Sequence, residues 1–225
     1  MLKRYQKDLQ SVTEDMKNIA LSLLKANRVV LGVMENASQN NCPEDTYAKV
    51  KEHLKNIAKK TVEIDNKIVI MLARFSPEAR DLRTLVAYLK INNEYERLAT
   101  NTRNLIKGLI AVCPKIDTQI VRKYAVPMHK ETVKALEGIV GMIETDCIDE
   151  VKELFNQVVV SESKTDDFFE ILEENVLKVA KENIETFKVY HKLLTTLRKS
   201  EKIADRVLSI ASLLLFAKVG GEINH

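Results

Sequence analysis

The chain has 225 residues, 45% of them hydrophobic, and its 35 basic and 32 acidic side chains leave a net charge of +3. That apolar content predicts a folded core and excludes a disordered chain. The charges of both signs are interleaved, which excludes a nucleic-acid-binding surface, since such a surface needs clustered basic residues.

Few residues that break helices occur. Tryptophan is absent, and there are six glycines and four prolines, so we expect few turns and long helices. No apolar run approaches the roughly 20 residues that span a bilayer, and the first residues lack the apolar segment of a signal peptide. Three cysteines without a CxxC pair indicate a reducing compartment. The chain is therefore expected to be cytoplasmic.

Six stretches with helical spacing of apolar residues follow one another, each about 30 residues or about 45 Å long. The turn signals between them lie, in chain order, at residues 40–43, 76–77, 113–114, 145–147 and 181–183. The apolar positions of the first stretch are Leu9, Val12, Met16, Ile19, Leu23 and Ala26. Those of the last stretch are Leu193, Leu194, Leu197, Ile203, Val207, Ile210 and Leu214. Long helices with short connections are typical of antiparallel bundles.

Two prolines predict where helices start or are distorted. Ser76 followed by Pro77 is typical of a helix start, because serine can cap the first amides and proline fits the first helical position. Pro127 lies within the fourth stretch, where it predicts a kink or an offset helix start.

The second half of the chain repeats the first at a shift of 105 residues. The matched pairs are Leu89 with Leu194, Glu96 with Glu201, Arg97 with Lys202, Leu98 with Ile203 and Ala99 with Ala204. The sequence thus predicts an all-α fold of two tandem, pseudo-symmetric, antiparallel three-helix bundles, residues 1–113 and 114–225.

Two pairs of acids are mirrored about residues 183–184. Glu162 and Asp166 are four residues apart, as are Glu201 and Asp205, so a helical hairpin would bring all four carboxylates to one level. Such a cluster is self-repelling. Either a bound hard cation such as Mg²⁺, Mn²⁺ or iron offsets the repulsion, or neighbouring bases do, and these are Arg198, Lys199, Lys202 and Arg206.

The first half lacks this set of acids. Glu96 and Thr100 match Glu201 and Asp205, and reversal at residue 77 would place Ala58 and Leu54 opposite them. Only one of the four positions is acidic, so a metal site is predicted in the second half alone.

Motifs of the common enzyme classes are absent. His53, His129 and His191 are scattered, and neither a phosphate-binding glycine loop nor a dinucleotide fingerprint occurs. We therefore expect a protein without catalytic residues. A metal-dependent phosphate-ester hydrolase that uses the four acids is the alternative of a different class.

The segment from Pro77 to Arg83, PEARDLR, followed by LKINNEYERL from Leu89, resembles the signature of the PhoU family, regulators of bacterial phosphate transport. Residues 201–205, EKIAD, resemble a second copy of its ending, and residues 162–166, ESKTD, resemble its upstream acidic motif. The resemblance covers essentially the whole chain.

This resemblance implies a cytoplasmic negative regulator of phosphate uptake and phosphate-starvation signalling, peripheral at the inner membrane through its partners. Those partners would be the ATP-binding subunit of the phosphate importer, the sensor histidine kinase and a second copy of the chain in a homodimer. The alternative within the family is an accessory protein of another transporter.

The resemblance also assigns roles to residues. A metal ion (Mg, Mn, Fe or Zn) would bind at Glu162, Asp166, Glu201 and Asp205. Thr100 replaces the family's acid in the first half, so one occupied site is expected. Arg80, Asp81 and Arg83 would contribute to a partner-docking surface, or alternatively stabilise the helix start.

Overall fold

The computed structural model describes residues 2–37, 44–180 and 184–221. The main helices in chain order are α1 (Leu2–Glu35), α2 (Glu44–His53), α3 (Ile57–Phe75), α4 (Ala79–Val112), α5 (Thr118–Ile120), α6 (Val126–Glu144), α7 (Ile148–Ala180) and α8 (Ile184–Val219). The predicted turns at 40–43, with Cys42, and at 181–183 lie outside the described residues. None of the described helices combines the length and apolar character that a membrane crossing needs.

The helices form two bundles of three helical segments that lie side by side, and the middle segment of the first bundle is broken into α2 and α3. In the first unit α1 packs against α2, α3 and α4, and in the second α6, α7 and α8 pack against one another. Extensive contact between α4 and α8, with further contact between α1 and α6, joins the units. The predicted all-α fold of paired bundles is confirmed. Its division at residue 113 stays a prediction, and a short 3₁₀ turn, Cys113–Lys115, follows α4 there.

The apolar periodicity of the sequence corresponds to the buried faces of the long helices. In α1, Leu9 is partly buried, and the other predicted positions are fully buried. In α8 the predicted positions are also buried, and Leu194 is the most exposed of them at 8%. Burial of these side chains, at about 1.5–3 kcal/mol each, supplies most of the stabilisation of such helices.

The second predicted stretch is interrupted, and this differs from the single helix that its spacing indicates. Helix α2 ends at His53 and α3 begins at Ile57. Leu54 and Ile57 are both buried, so the break lets the apolar faces on either side meet the core. Arg103 of α4 donates a hydrogen bond to the Leu54 carbonyl at 3.3 Å, which satisfies a backbone group that the break leaves unpaired.

The prediction of a helix start at Ser76 and Pro77 is wrong. Ser76 instead ends α3 in a left-handed conformation, φ 46°, and its amide donates to the Leu72 carbonyl at 3.2 Å. Proline commonly follows such a helix end. Helix α4 starts two residues later than predicted, at Ala79 with Glu78 before it in an extended conformation.

Pro127 lies near the start of α6, directly after a π-helical turn, Val121–Ala125. Proline has no amide hydrogen to donate to the preceding turn, and a π turn is a common way to accommodate such an interruption. Helical backbone continues from Thr118 through the π turn into α6, so Pro127 accompanies a distortion within a helix, as in the first of the two predicted alternatives, rather than a helix start.

A buried polar group lies where α1, α6 and α8 meet. His129 is fully buried, and its Nδ1 is 2.7 Å from the Ser200 hydroxyl while its Nε2 is 3.2 Å from the Asn27 carbonyl. Because a carbonyl only accepts, Nε2 carries the hydrogen, and the Ser200 hydroxyl donates to Nδ1. This contact connects α6 to α8 one residue before Glu201.

Candidate functional site

Three carboxylates of the second unit meet in a cluster at the α7–α8 contact. Glu162 and Asp166 come from successive turns of α7, and Asp205 comes from α8. One oxygen of each lies within 4.8 Å of the others. The mirrored spacing of the acids along the hairpin accounts for this meeting. We call these three residues the acidic cluster.

Glu201, the fourth predicted ligand, lies beside the acidic cluster and outside this close group. Its Oε2 is 3.5 Å from Nε of Arg198, yet this oxygen is buried and accepts no hydrogen bond. The two observations are compatible, because the distance admits a charge contact while the geometry does not admit a hydrogen bond. Glu201 therefore carries a poorly satisfied buried oxygen next to the cluster.

The pKa of each of the four acids is raised above its ordinary value. Burial is the largest cause for all four, followed for Glu162 by the charges of Asp166, Asp205 and Glu201. Asp166 is raised further by Asp167, Glu201 by Asp205, and Asp205 by Asp166. The folded chain thus holds these carboxylates close enough that each disfavours the ionised form of another.

The neighbouring bases offset this repulsion only in part. Lys202 lowers the pKa of both Glu201 and Asp205, and Arg206 lowers that of Asp205. Arg198 contacts Glu201 and lies over the Phe169 ring, while Arg206 pairs with Glu94 of α4. Within the described residues, no base forms an ion pair with any member of the acidic cluster.

The donor set fits a hard cation. Carboxylate oxygens bind such ions at about 2.0–2.6 Å, and two ligands on opposite sides of one ion are then separated by at most about 5 Å. The mutual distances within the cluster satisfy this limit. Glu162 and Asp205 also line an open cavity of about 720 Å³, so a cation would be reached from solvent. The metal role of these residues stays a prediction.

The position in the first unit that matches the acidic cluster has different side chains around Glu96, and the predicted pairing of α3 with α4 is wrong. Glu96 accepts a hydrogen bond from Thr61 at 2.5 Å, whereas the sequence spacing predicts Ala58 opposite it. The reason is that α4 begins only at Ala79, which shifts the pairing of α3 with α4 along the chain. Asp65, which the sequence pattern does not indicate, accepts a hydrogen bond from Asn92 at 2.6 Å.

The polar side chains near Glu96 are mainly neutral, so this level of the first unit lacks the acids of the second. Thr100, in the place of an acid, donates to the Glu96 carbonyl. The cluster at Glu162 is the one place in the described residues where three potential ligand groups converge this closely.

The predicted docking residues lie in the first turns of α4. Arg80 is half exposed and 3.7 Å from Asp146, while the Asp81 charge contributes to the raised pKa of Tyr5. Nε of Arg83 is buried without a hydrogen bond. Arg80 is thus the most available of the three, and their role in docking stays a prediction.

The sequence is similar to a known domain model and to proteins named as PhoU homologs. Residues 13–108 match the model of the PhoU domain. The chain is 24% identical over 216 residues to phosphate-specific transport system accessory protein PhoU homolog 1 of Methanothermobacter thermautotrophicus, covering 94% of this chain and 93% of that protein. It is 22% identical over 194 residues to the PhoU homolog of Borreliella burgdorferi, covering 80% and 86%.

The fold also matches solved structures. The PhoU structure from Pseudomonas aeruginosa superposes with a TM-score of 0.81 at 18% identity, over 96% of this chain and 100% of that one. The phosphate transport system regulatory protein PhoU from Streptococcus pneumoniae gives 0.79 at 13% identity, over 98% and 99%. The resemblance indicated by the sequence motifs is confirmed.

Proposed function

We propose, on the premise that this chain carries a PhoU domain within a PhoU-like fold, that it is a negative regulator of phosphate uptake and phosphate-starvation signalling. It acts in the cytoplasm by protein–protein contact and reaches the inner membrane through its partners. The observation that carries the proposal is the PhoU-domain match, together with whole-length similarity to proteins named as phosphate transport accessory proteins.

The proposed partners are the ATP-binding subunit of the phosphate importer and the sensor histidine kinase. Long helices present broad, rigid surfaces, and part of the apolar surface of α3 and α7 is exposed, including Val69, Ile70 and Val160. Exposed apolar side chains of this kind support a role in association, with either a partner or a second copy of the chain.

The acidic cluster has a defined role in this proposal. Glu162, Asp166 and Asp205 would hold a divalent or ferric cation, with Glu201 beside them to accept a further contact. The raised pKa values of the three carboxylates of the acidic cluster, and the absence of an ion pair to any of them within the described residues, support this role. A cation would offset the repulsion within the chain and would supply a positive charge to which an acidic partner surface can bind.

The test is deletion of the gene in its own host, with phosphate uptake and alkaline phosphatase activity measured in phosphate-rich medium. We expect both activities to rise in the deletion strain and to return to the parental level with the wild-type gene. The E162Q/D205N variant should restore them poorly, and E173Q, which alters an exposed acid of α7 outside the cluster, should restore them fully. Unchanged activities in the deletion strain would overturn the proposed function.

A further inference from the structure

A second, oppositely charged pocket lies along the contact between the two units. It has a volume of about 420 Å³ and is formed by α4 and α8. Its cationic side chains are Arg97 from α4 and Lys199, Lys202 and Arg206 from α8. The three α8 residues are spaced by three and four, so they share one face of that helix. Glu201 and Asp205 lie on the neighbouring face, and Arg97 and Arg206 also line the cavity that contains Glu162 and Asp205.

The two arginines of this pocket are held in place by one acid. Glu94 Oε1 accepts from Arg97 Nη1 at 3.4 Å, and its Oε2 accepts from Arg206 Nη1 at 3.3 Å. The Glu94 side chain is only 14% exposed, whereas Arg97 and Arg206 are 61% and 37% exposed. A partly buried carboxylate therefore orients two guanidinium groups that keep further donors towards solvent, since each carries five N–H bonds.

The two lysines have no such partner. Within the described part of the chain, neither Lys199 nor Lys202 forms an ion pair, although both line the pocket. The one acid of the pocket wall, Glu96, already accepts a hydrogen bond from Thr61. Four cations thus line the pocket with one carboxylate; Glu94 pairs with the two arginines, whereas the two lysine ammonium groups have no ion pair in the described residues.

We propose that this pocket binds a phosphate group. A doubly charged tetrahedral oxyanion presents several acceptor oxygens, which matches two guanidinium and two ammonium donors converging from two helices. Thr100 and Asn101 add polar groups to the same wall. The open shape admits either free orthophosphate or the phosphate headgroup of a lipid. The inference goes beyond the proposed function, because binding here requires neither the acidic cluster nor a partner protein.

The variant K199Q/K202Q tests the proposal, because these lysines can be changed without disturbing the Glu94 contacts. The matched control is K188Q/K192Q, which removes the same charge from exposed positions of the same helix outside the pocket. Equal thermal midpoints of the two variants would establish that both are folded. All binding is measured with the full chain in EDTA, so that a cation in the acidic cluster does not contribute to phosphate binding.

One arm measures orthophosphate by equilibrium dialysis, and the other measures recruitment to phosphatidic acid vesicles against phosphatidylcholine vesicles. We expect orthophosphate to bind the wild type and K188Q/K192Q equally, and K199Q/K202Q about tenfold more weakly. Binding to phosphatidic acid vesicles alone, again weaker for K199Q/K202Q than for K188Q/K192Q, would support the site and would identify the lipid headgroup as the phosphate that it binds. Absence of binding in both arms, or equal binding by the two variants, would overturn the proposal.

Discussion

His129 of α6 and Ser200 of α8 form a buried hydrogen bond, with the serine hydroxyl 2.7 Å from the histidine Nδ1. Ser200 immediately precedes Glu201, and both the acidic cluster and the cationic pocket depend on how α8 is rotated and placed. A polar contact that must be satisfied in the core favours one arrangement of packed helices over others. The contact therefore helps to place both charged surfaces of α8.

Replacing Ser200 by alanine tests this contact. The substitution leaves the His129 Nδ1 acceptor buried without a donor, which is expected to lower the free energy of unfolding by about 1–3 kcal/mol. Urea denaturation of S200A measures the change, and S163A, at an exposed position of α7, is the control with an expected effect near zero. Equal stability of the two variants would contradict the role assigned to the contact.

The pH dependence of stability should show the buried histidine. Burial lowers the pKa of His129 to about 4 from its ordinary value of 6.5. Below pH 6.5 the unfolded chain therefore binds a proton at this residue that the folded chain excludes, and stability is lost as the pH falls towards 4. At pH 5.5 the expected loss from this group is about 1 kcal/mol relative to pH 7.5.

The measurement is urea denaturation of the wild type and H129Q at these two pH values. The other titrating groups contribute equally to both proteins. The difference between the two proteins in the stability lost from pH 7.5 to pH 5.5 therefore isolates the contribution of His129. The wild type should lose more stability than H129Q on acidification. Parallel losses would mean that His129 is protonated in the folded chain.

Gly108 marks a close approach of α4 to α8. A Cβ atom there would lie 2.5 Å from side-chain atoms of Thr196, whereas one at Gly32 of α1 would meet nothing within 4 Å. G108A should lower the free energy of unfolding by about 1–3 kcal/mol through overpacking. G32A should raise it by about 0.5–1 kcal/mol, because alanine is the better helix former.

Thermal denaturation of these two alanine variants measures the contact between the units. Both substitutions add one methyl group within a helix, so they differ mainly in what that group meets. Equal stability of G108A and G32A would contradict the close approach of α4 to α8 at Gly108.

Neutralising the acidic cluster should stabilise the chain when metal is removed. E162Q/D205N eliminates repulsion between carboxylates whose pKa values are raised, and we expect a gain of a few tenths to about 1 kcal/mol at pH 7 in EDTA. We expect Mn²⁺ to raise the melting temperature of the wild type and to leave that of this variant unchanged. E173Q should behave like the wild type in both respects. If Mn²⁺ raised the melting temperature of E162Q/D205N as much as that of the wild type, the acidic cluster would not be the metal site.

The sequence predicted the parts of the fold that depend on local periodicity. The spacing of apolar residues identified the buried faces of α1 and α8. The mirrored acids predicted the meeting of Glu162, Asp166 and Asp205, because α7 and α8 are long unbroken helices that pack against each other. The first unit was less predictable. Its pairing depends on the left-handed Ser76 and the late start of α4, and neither follows from periodicity.

The cationic pocket could not be read from the sequence for a different reason. The sequence places Lys199, Lys202 and Arg206 near the acids, and this position indicates only that they can act as counter-charges. Which face of α8 they occupy relative to Arg97 and Glu94 depends on packing between the two units. The spacing of residues within one helix does not contain that information.

The most direct test of the proposed regulation is the affinity of the purified chain for the ATP-binding subunit of the phosphate importer and for the sensor kinase, measured with Mn²⁺ and with EDTA. We expect the wild type to bind both partners and to bind them more weakly in EDTA. We expect E201A/D205A to bind weakly in both conditions and to have lost its bound metal. Unchanged metal content and unchanged partner affinity in E201A/D205A would contradict it.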